Sequence, residues 1–264
     1  MNTHNISLLQ LLLFYCLLVI PFAFLFFFRL GSTIRELLLS MVRMTVQLAL
    51  IALYLEFLFQ LNNIWVNLGW LLLMVSVASS HVLGKSGLSR KHVFWVTQLS
   101  LSISTVLVLS AMLALLMPFP WYDARYLIPL AGMLLGNSLT ANTLVLERFY
   151  SSITTGHDRY LADLLMGAST YEAASPFLKE ALKAALSPMI ASMATVGVVY
   201  LPGMMTGQIL GGAEPLKAVT YQALIMVGIA IATMLSVMLN SFLSLKVGFD
   251  GFGLIRQGII VQER

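Results

Sequence analysis

Charge is what this sequence has least of. Only 10% of its 264 residues are Asp, Glu, Lys or Arg, whereas a soluble globular domain carries about 25%. With 59% hydrophobic residues, the balance excludes a water-soluble fold and points to an integral membrane protein. Cysteine is almost absent. Cys16 stands alone, so no disulfide framework can form within the chain, and a single thiol in a leucine-rich run reads as a small packing residue. No Gly-x-x-x-x-Gly-Lys-[Ser/Thr] occurs, so ATP used for transport would have to be bound by another chain. His-Glu-x-x-His and Gly-x-Ser-x-Gly are missing as well. Asp123 is the only aspartate near the outer side, which leaves no carboxylate pair to share a proton in the membrane. Enzyme chemistry therefore has no support.

What the chain does have is long apolar runs. Crossing the hydrocarbon core takes about 17–25 such residues, and seven candidate spans meet that length, near 7–28, 37–60, 64–83, 93–117, 126–146, 189–211 and 218–245. The opening residues 1–6 lack the positive region of a secretory signal, so the run behind them reads as a retained first span. The net charge of +4 matters less than its placement. Connections after the first, third, fifth and seventh spans hold Arg29, Arg35, Lys85, Arg90, Lys91, Arg148, Arg159, Lys179, Lys183, Lys246, Arg256 and Arg264. The other side holds Arg125 and Lys217. By the positive-inside rule this puts the N-terminus outside and the C-terminus in the cytoplasm. Trp65, Trp70, Trp121 and Tyr122 fall at the outer interface, where aromatic belts form.

The spans differ in polarity. The second holds Arg43, Gln47 and Glu56, and an ionisable residue within a span is a functional candidate, although Arg43 could equally snorkel from near the inner end. His81, near the inner end of the third span, reads as an interfacial residue. The fifth carries Gly132 and Gly136, a small stripe for close helix approach, followed by Asn137, Ser138, Thr140 and Asn142. The sixth carries Gly203, Gly207 and Gly211 behind Pro202, which breaks the helix as in transporters whose substrate path follows such a break. Asn137, Asn142, Pro202, Gln208 and Gln222, with Arg43 and Gln47, are the candidate path. Met204 and Met205 beside the break could contact a soft metal, or simply pack. A hard metal would want carboxylates or imidazoles, and the spans offer only Glu56 and His81, near opposite faces. A secondary transporter or channel without an ATPase partner is the competing class.

Between the fifth and sixth spans lies the one long polar stretch, 147–188. Leu161–Met166 reads as a short helix ended at Gly167. Ser169 and Glu172 then form a capping box that opens a second helix, in which Pro176 predicts a kink. This helix, Gly-Ala-[Ser/Thr], helix pattern resembles the cytoplasmic coupling loop of ABC transporter permeases, although Leu161-Ala-Asp replaces that family's opening Glu-Ala-Ala. The resemblance implies that Asp163, Gly167, Ala168, Ser169, Thr170, Tyr171, Glu172 and Pro176 dock against an ATPase subunit.

Pro-Leu-Ala-Gly-Met-Leu-Leu-Gly-Asn-Ser at 129–138 and the run from Val196 to Ala218, with Leu-Pro-Gly-Met-Met-Thr-Gly at its heart, resemble the FetB-type (YbbM-like) permeases. Arg43, Gln47, Tyr221 and Gln222 fit the same family over roughly residues 35–245. The resemblance implies a multi-pass ABC permease of a bacterial inner membrane; the spans leave no soluble domain, so the chain reads as a single permease domain over 1–264, and the small-residue stripes of spans five and six suit a homodimer. ATP and Mg would be bound by a separate ATPase chain. Iron export, metal homeostasis and oxidative-stress resistance are the implied roles. A plant branch associated with aluminium tolerance implies a nucleotide sugar as a possible cargo. No cofactor is expected on this chain, and nucleic acid is not an expected partner.

Overall fold

A computed structural model describes residues 7–256 and 258–260. Met1–Ile6 and Arg264, used above for the N-terminal and charge readings, lie outside the described residues. Ten helices are described: α1 (Leu8–Cys16), α2 (Val19–Phe27), α3 (Gly31–Leu61), α4 (Ile64–Ser86), α5 (Arg90–Leu116), α6 (Ala124–Thr155), α7 (His157–Leu165), α8 (Thr170–Thr195), α9 (Gly203–Leu210) and α10 (Pro215–Gly248). Among the described residues there is no strand; the only β pairs are isolated bridges. Contacts separate the chain into two units, one up to Leu61 with Leu210–Gly212, the other Asn62–Ile209 with the chain from Ala213 onward.

In the first unit, α1 and α2 form one apolar stretch, Leu9–Phe27, long enough to cross a membrane. Pro21 explains the irregularity in it. Its missing N–H leaves the carbonyl of Leu17 without an i+4 donor, and that oxygen takes the N–H of Ile20 instead at 3.3 Å. Tyr15 Oη and Thr45 Oγ1 meet at 3.0 Å and tie α1 to α3. Arg43 and Gln47 are both exposed on α3, on a single face at i, i+4 spacing.

The second unit is a bundle of α4, α5, α6, α8 and α10. At one end, Asn62 Oδ1 accepts the N–H of Ala124 at 3.1 Å, and Asn67 Nδ2 donates to the carbonyl of Tyr122 at 2.8 Å. These bonds fix the starts of α4 and α6 side by side. From there α6 and α10 run parallel, joined by a buried polar ladder. Ser138 Oγ meets Thr233 Oγ1 at 3.3 Å; Asn142 Nδ2 donates to Ser236 Oγ at 2.8 Å; Asn240 Nδ2 donates to Asn142 Oδ1 at 2.9 Å; and Tyr150 Oη donates to the Ser244 carbonyl at 3.2 Å. Thr97 Oγ1 of α5 donates to Asn240 Oδ1 at 3.2 Å and brings the third helix in. The glycines that permit close approach here are Gly228, against Met112, and Gly248, against Tyr150.

Among the described residues, six helical stretches are long and apolar enough to cross a membrane: Leu9–Phe27, α3, α4, α5, α6 and α10. The expected span 189–211 is not among them. It is the end of α8, a non-helical break over 196–202, and the eight residues of α9. The break opens earlier than Pro202: Val196 is already extended and ends α8, Gly197 adopts φ +84°, and its N–H bonds to the Tyr200 carbonyl at 2.9 Å.

Candidate functional site

Two features of the second unit could carry function: an elbow at one end of the bundle and a cavity along it.

The elbow is α7, Met166–Ser169 and the start of α8. Its local chemistry is as the residues dictate. Gly167 takes φ +93°, a conformation that a β-carbon would strain. Ser169 caps α8, with its N–H donating to Glu172 Oε2 at 2.8 Å and the Glu172 N–H donating to Ser169 Oγ at 3.3 Å. The Ser169 hydroxyl also donates to Glu172 Oε2, at 2.7 Å, and this bond, followed by that from the Ser169 N–H, holds the Glu172 carboxyl below its ordinary 4.5. Glu172, Tyr171, Gly167 and Ser169 are exposed, while Asp163, Ala168, Thr170 and Pro176 are half-buried. Pro176 does not end the helix, which continues through it to Thr195.

Sequence reasoning missed the most exposed apolar residues of the elbow, Leu165 (88%) and Met166 (78%). It also missed what holds the elbow down. After α10 the chain turns back: Asp250 Oδ1 accepts the N–H groups of Phe252 and Leu254, and this tail runs into the elbow. Tyr160 is buried and donates to the Gly253 carbonyl at 2.6 Å. Burial, and then the negative Asp250 nearby, push its phenol up to about 12. A β-carbon on Gly253 would lie 2.9 Å from Thr170 Oγ1 and 3.3 Å from Leu164. Phe249 packs among Phe149, Tyr150 and Tyr160, nearly parallel to Tyr150 at 19°. Ile259 is fully buried, and its carbonyl accepts the Ser89 N–H at 2.7 Å. The tail thereby fastens α7, α8, α10 and the α4–α5 turn to one another.

The cavity, about 470 Å³, lies between α6, α8, α9 and α10. Asn137, Pro202, Met204 and Gln222 of the candidate path line it, together with Gly136 and Gly203. So do Thr140, Ser192, Tyr200 and five methionines, Met133, Met189, Met193, Met204 and Met226. Tyr200 Oη and Ser192 Oγ are hydrogen-bonded and close the break against α8. Among the described residues, no Asp, Glu, His, Lys or Arg lines it. Gln208 borders an adjoining space of about 320 Å³ with Arg125 and Tyr221; Met205 lines neither. Asn142 is elsewhere, fully buried in the α6–α10 ladder. Arg43 and Gln47 belong to the first unit. His81, expected at the interface, lines a cavity of about 420 Å³ with Lys85 and Glu147. No cluster of three or more His, Cys, Asp or Glu exists among the described residues.

Of the expected packing glycines, Gly132 meets Met74 at 3.5 Å, whereas Gly136, Gly203 and Gly207 face open space. Gly211 sits in the turn after α9.

Known proteins place this arrangement. "Probable iron export permease protein FetB" of Escherichia coli is 26% identical over 246 residues, 93% of each chain. A UPF0014 membrane protein of Synechocystis is 36% identical over 195 residues, 74% of this chain and 75% of the relative. "Protein ALUMINUM SENSITIVE 3" of Arabidopsis thaliana is 37% identical over 195 residues, 72% and 69%. No solved structure matches. Residues 8–249 match the family described as "Uncharacterised protein family (UPF0014)", and this multi-pass membrane chain belongs to that family.

Proposed function

We propose that the chain is the membrane-spanning permease subunit of an ABC transporter in a bacterial inner membrane. It exports iron or a related metal, driven by ATP that a separate subunit binds with Mg²⁺ and hydrolyses. The elbow carries this reading. It presents Leu165 and Met166 beyond the apolar bundle, and Tyr160 and the tail brace it against α10. An ordinary surface loop needs no such bracing; a docking lever does, because a push on it must reach the spans.

Seven crossings, with the N-terminus outside and the C-terminus in the cytoplasm, fit best. The tail after α10 meets the start of α8, and α10 is about 51 Å long at 1.5 Å per residue. On this reading the stretch from the start of α8 to the start of α10 crosses the bilayer, its later part as a broken helix. Val198 and Val199 are exposed in the break, and non-helical backbone at membrane depth is tolerated only against protein or water. A second copy covering the break, with Gly203 and Gly207 in the contact, meets that need and joins two cavities into one path.

The metal comes from the E. coli relative's name. A nucleotide sugar would bring phosphate charge into a cavity with no cation to receive it. A proton-driven carrier would need an ionisable relay there, and none lines it.

The test is purification from native membranes. The chain should bring down an ATPase with a phosphate-binding loop, and Gly167→Asp, which strains the elbow and charges its tip, should lose it while still inserting. Equal recovery of the ATPase by both would remove the elbow from the mechanism.

A further inference from the structure

Five of the 15 methionines of the chain face the central cavity. They come from four helices: Met133 from α6, Met189 and Met193 from α8, Met204 from α9 and Met226 from α10. Leucine is far commoner along the sequence, yet it contributes nothing to this lining. Where the bundle needs only apolar volume it uses leucine, valine and isoleucine, as in the cluster around Leu83 and Val145. What sets the cavity apart is sulfur rather than hydrophobicity.

The donor set is thus thioethers, hydroxyls and amides, without carboxylate, imidazole or thiolate among the described lining residues. Thioethers select soft ions such as Cu(I), whereas iron-like and harder ions seek imidazole and carboxylate. Those donors sit in the neighbouring cavity, on His81 and Glu147. Charge points the same way. The cost of desolvating an ion grows steeply with its charge, so a cavity with no anion admits a monovalent ion far more readily than a divalent one.

We propose that the central cavity binds a soft monovalent metal ion of the Cu(I) and Ag(I) class through its methionine sulfurs. This rests on the permease reading and, in place of the iron taken from the E. coli relative's name, assigns a soft monovalent ion as the cargo. The ion moves from thioether to thioether, exchanging one neutral ligand for the next with no proton to release.

Ag(I) is the probe, because it has no redox chemistry under these conditions. The full-length chain carries Cys16→Ser throughout, since Cys16 is exposed and would compete. X-ray absorption on the silver-loaded chain should give sulfur neighbours; nitrogen and oxygen neighbours alone would overturn the proposal without any cavity variant having to fold. Leucine at Met133, Met193 and Met204, nearly conserving volume, should weaken Ag(I) binding at least tenfold. Leucine at Met44, Met117 and Met238, outside the cavity, should leave it within twofold. Equal affinity in both triple variants, or displacement of Ag(I) by equimolar Fe(II), overturns the proposal. Recovery of the ATPase is scored on the same preparations. ATPase present without sulfur-bound silver sinks the cargo alone. Sulfur-bound silver without ATPase sinks the permease reading and leaves the site.

Discussion

Asn137 and Asn142 lie five residues apart on α6 and have the same side chain, yet their surroundings are opposite. Asn142 is fully buried; it donates to Ser236 and to the Ser138 carbonyl of its own helix and accepts from Asn240. Asn137 faces the cavity, and its amide donates only to the Met133 carbonyl one turn back. Five residues turn a helix by about 500°, which leaves the two side chains about 140° apart. One face of α6 is closed by polar bonds to α10, and the other is left open by Gly136 and unbranched methionines. A polar residue in a span can therefore be a rivet or a wall of the path, and composition alone does not separate the two.

Substitution should separate them. Asn142→Leu strands the Asn240 amide and the Ser236 hydroxyl in a dry interface and should cost about 2 kcal/mol of stability, read as a lowered unfolding temperature in detergent. Asn137→Leu should stay within about 0.5 kcal/mol but reduce transport several-fold in membrane vesicles. If Asn137→Leu destabilised as much as Asn142→Leu, the distinction between the faces would fail. A smaller effect sharpens the same contrast at the elbow. Tyr160→Phe removes the bond to the Gly253 carbonyl and should cost about 1 kcal/mol, with faster amide exchange over 157–172 and none of it near the cavity.

The smallest effect is one of pH. The Glu172 carboxyl is held below its ordinary value by Ser169, so the charged form is favoured in the folded elbow. That contribution is present above the ordinary carboxylate value of 4.5 and is lost as pH falls through the lowered one. Amide exchange at Ser169 and Glu172 should therefore quicken on acidification, and Glu172→Gln should abolish that pH dependence.

What was legible in the sequence was local. The capping box and the turn at Gly167 depend on residues within a few positions of each other, and both form as their chemistry requires. The apolar runs gave the long helices for the same reason. The break before α9 was read too late in the chain because Pro202 drew attention from Gly197, whose positive φ carries no sequence mark beyond being glycine. The elbow's anchor was invisible. Tyr160 and Gly253 are 93 positions apart, and nothing at either position announces the other. Gly228 and Gly248, which do permit close packing, stand alone in α10 rather than in a four-residue stripe. Among the described residues, nothing lies within 4 Å of where a β-carbon on Gly203 or Gly207 would sit.

The anchoring of the elbow by the tail has a consequence for how the subunit is made. Tyr160 is synthesised 93 residues before Gly253, its partner in the tail. Until then α7 lacks its clamp and the tip at Leu165 and Met166 has no fixed aim. The surface that would engage a partner is completed last, so an unfinished or truncated chain has no braced elbow to offer.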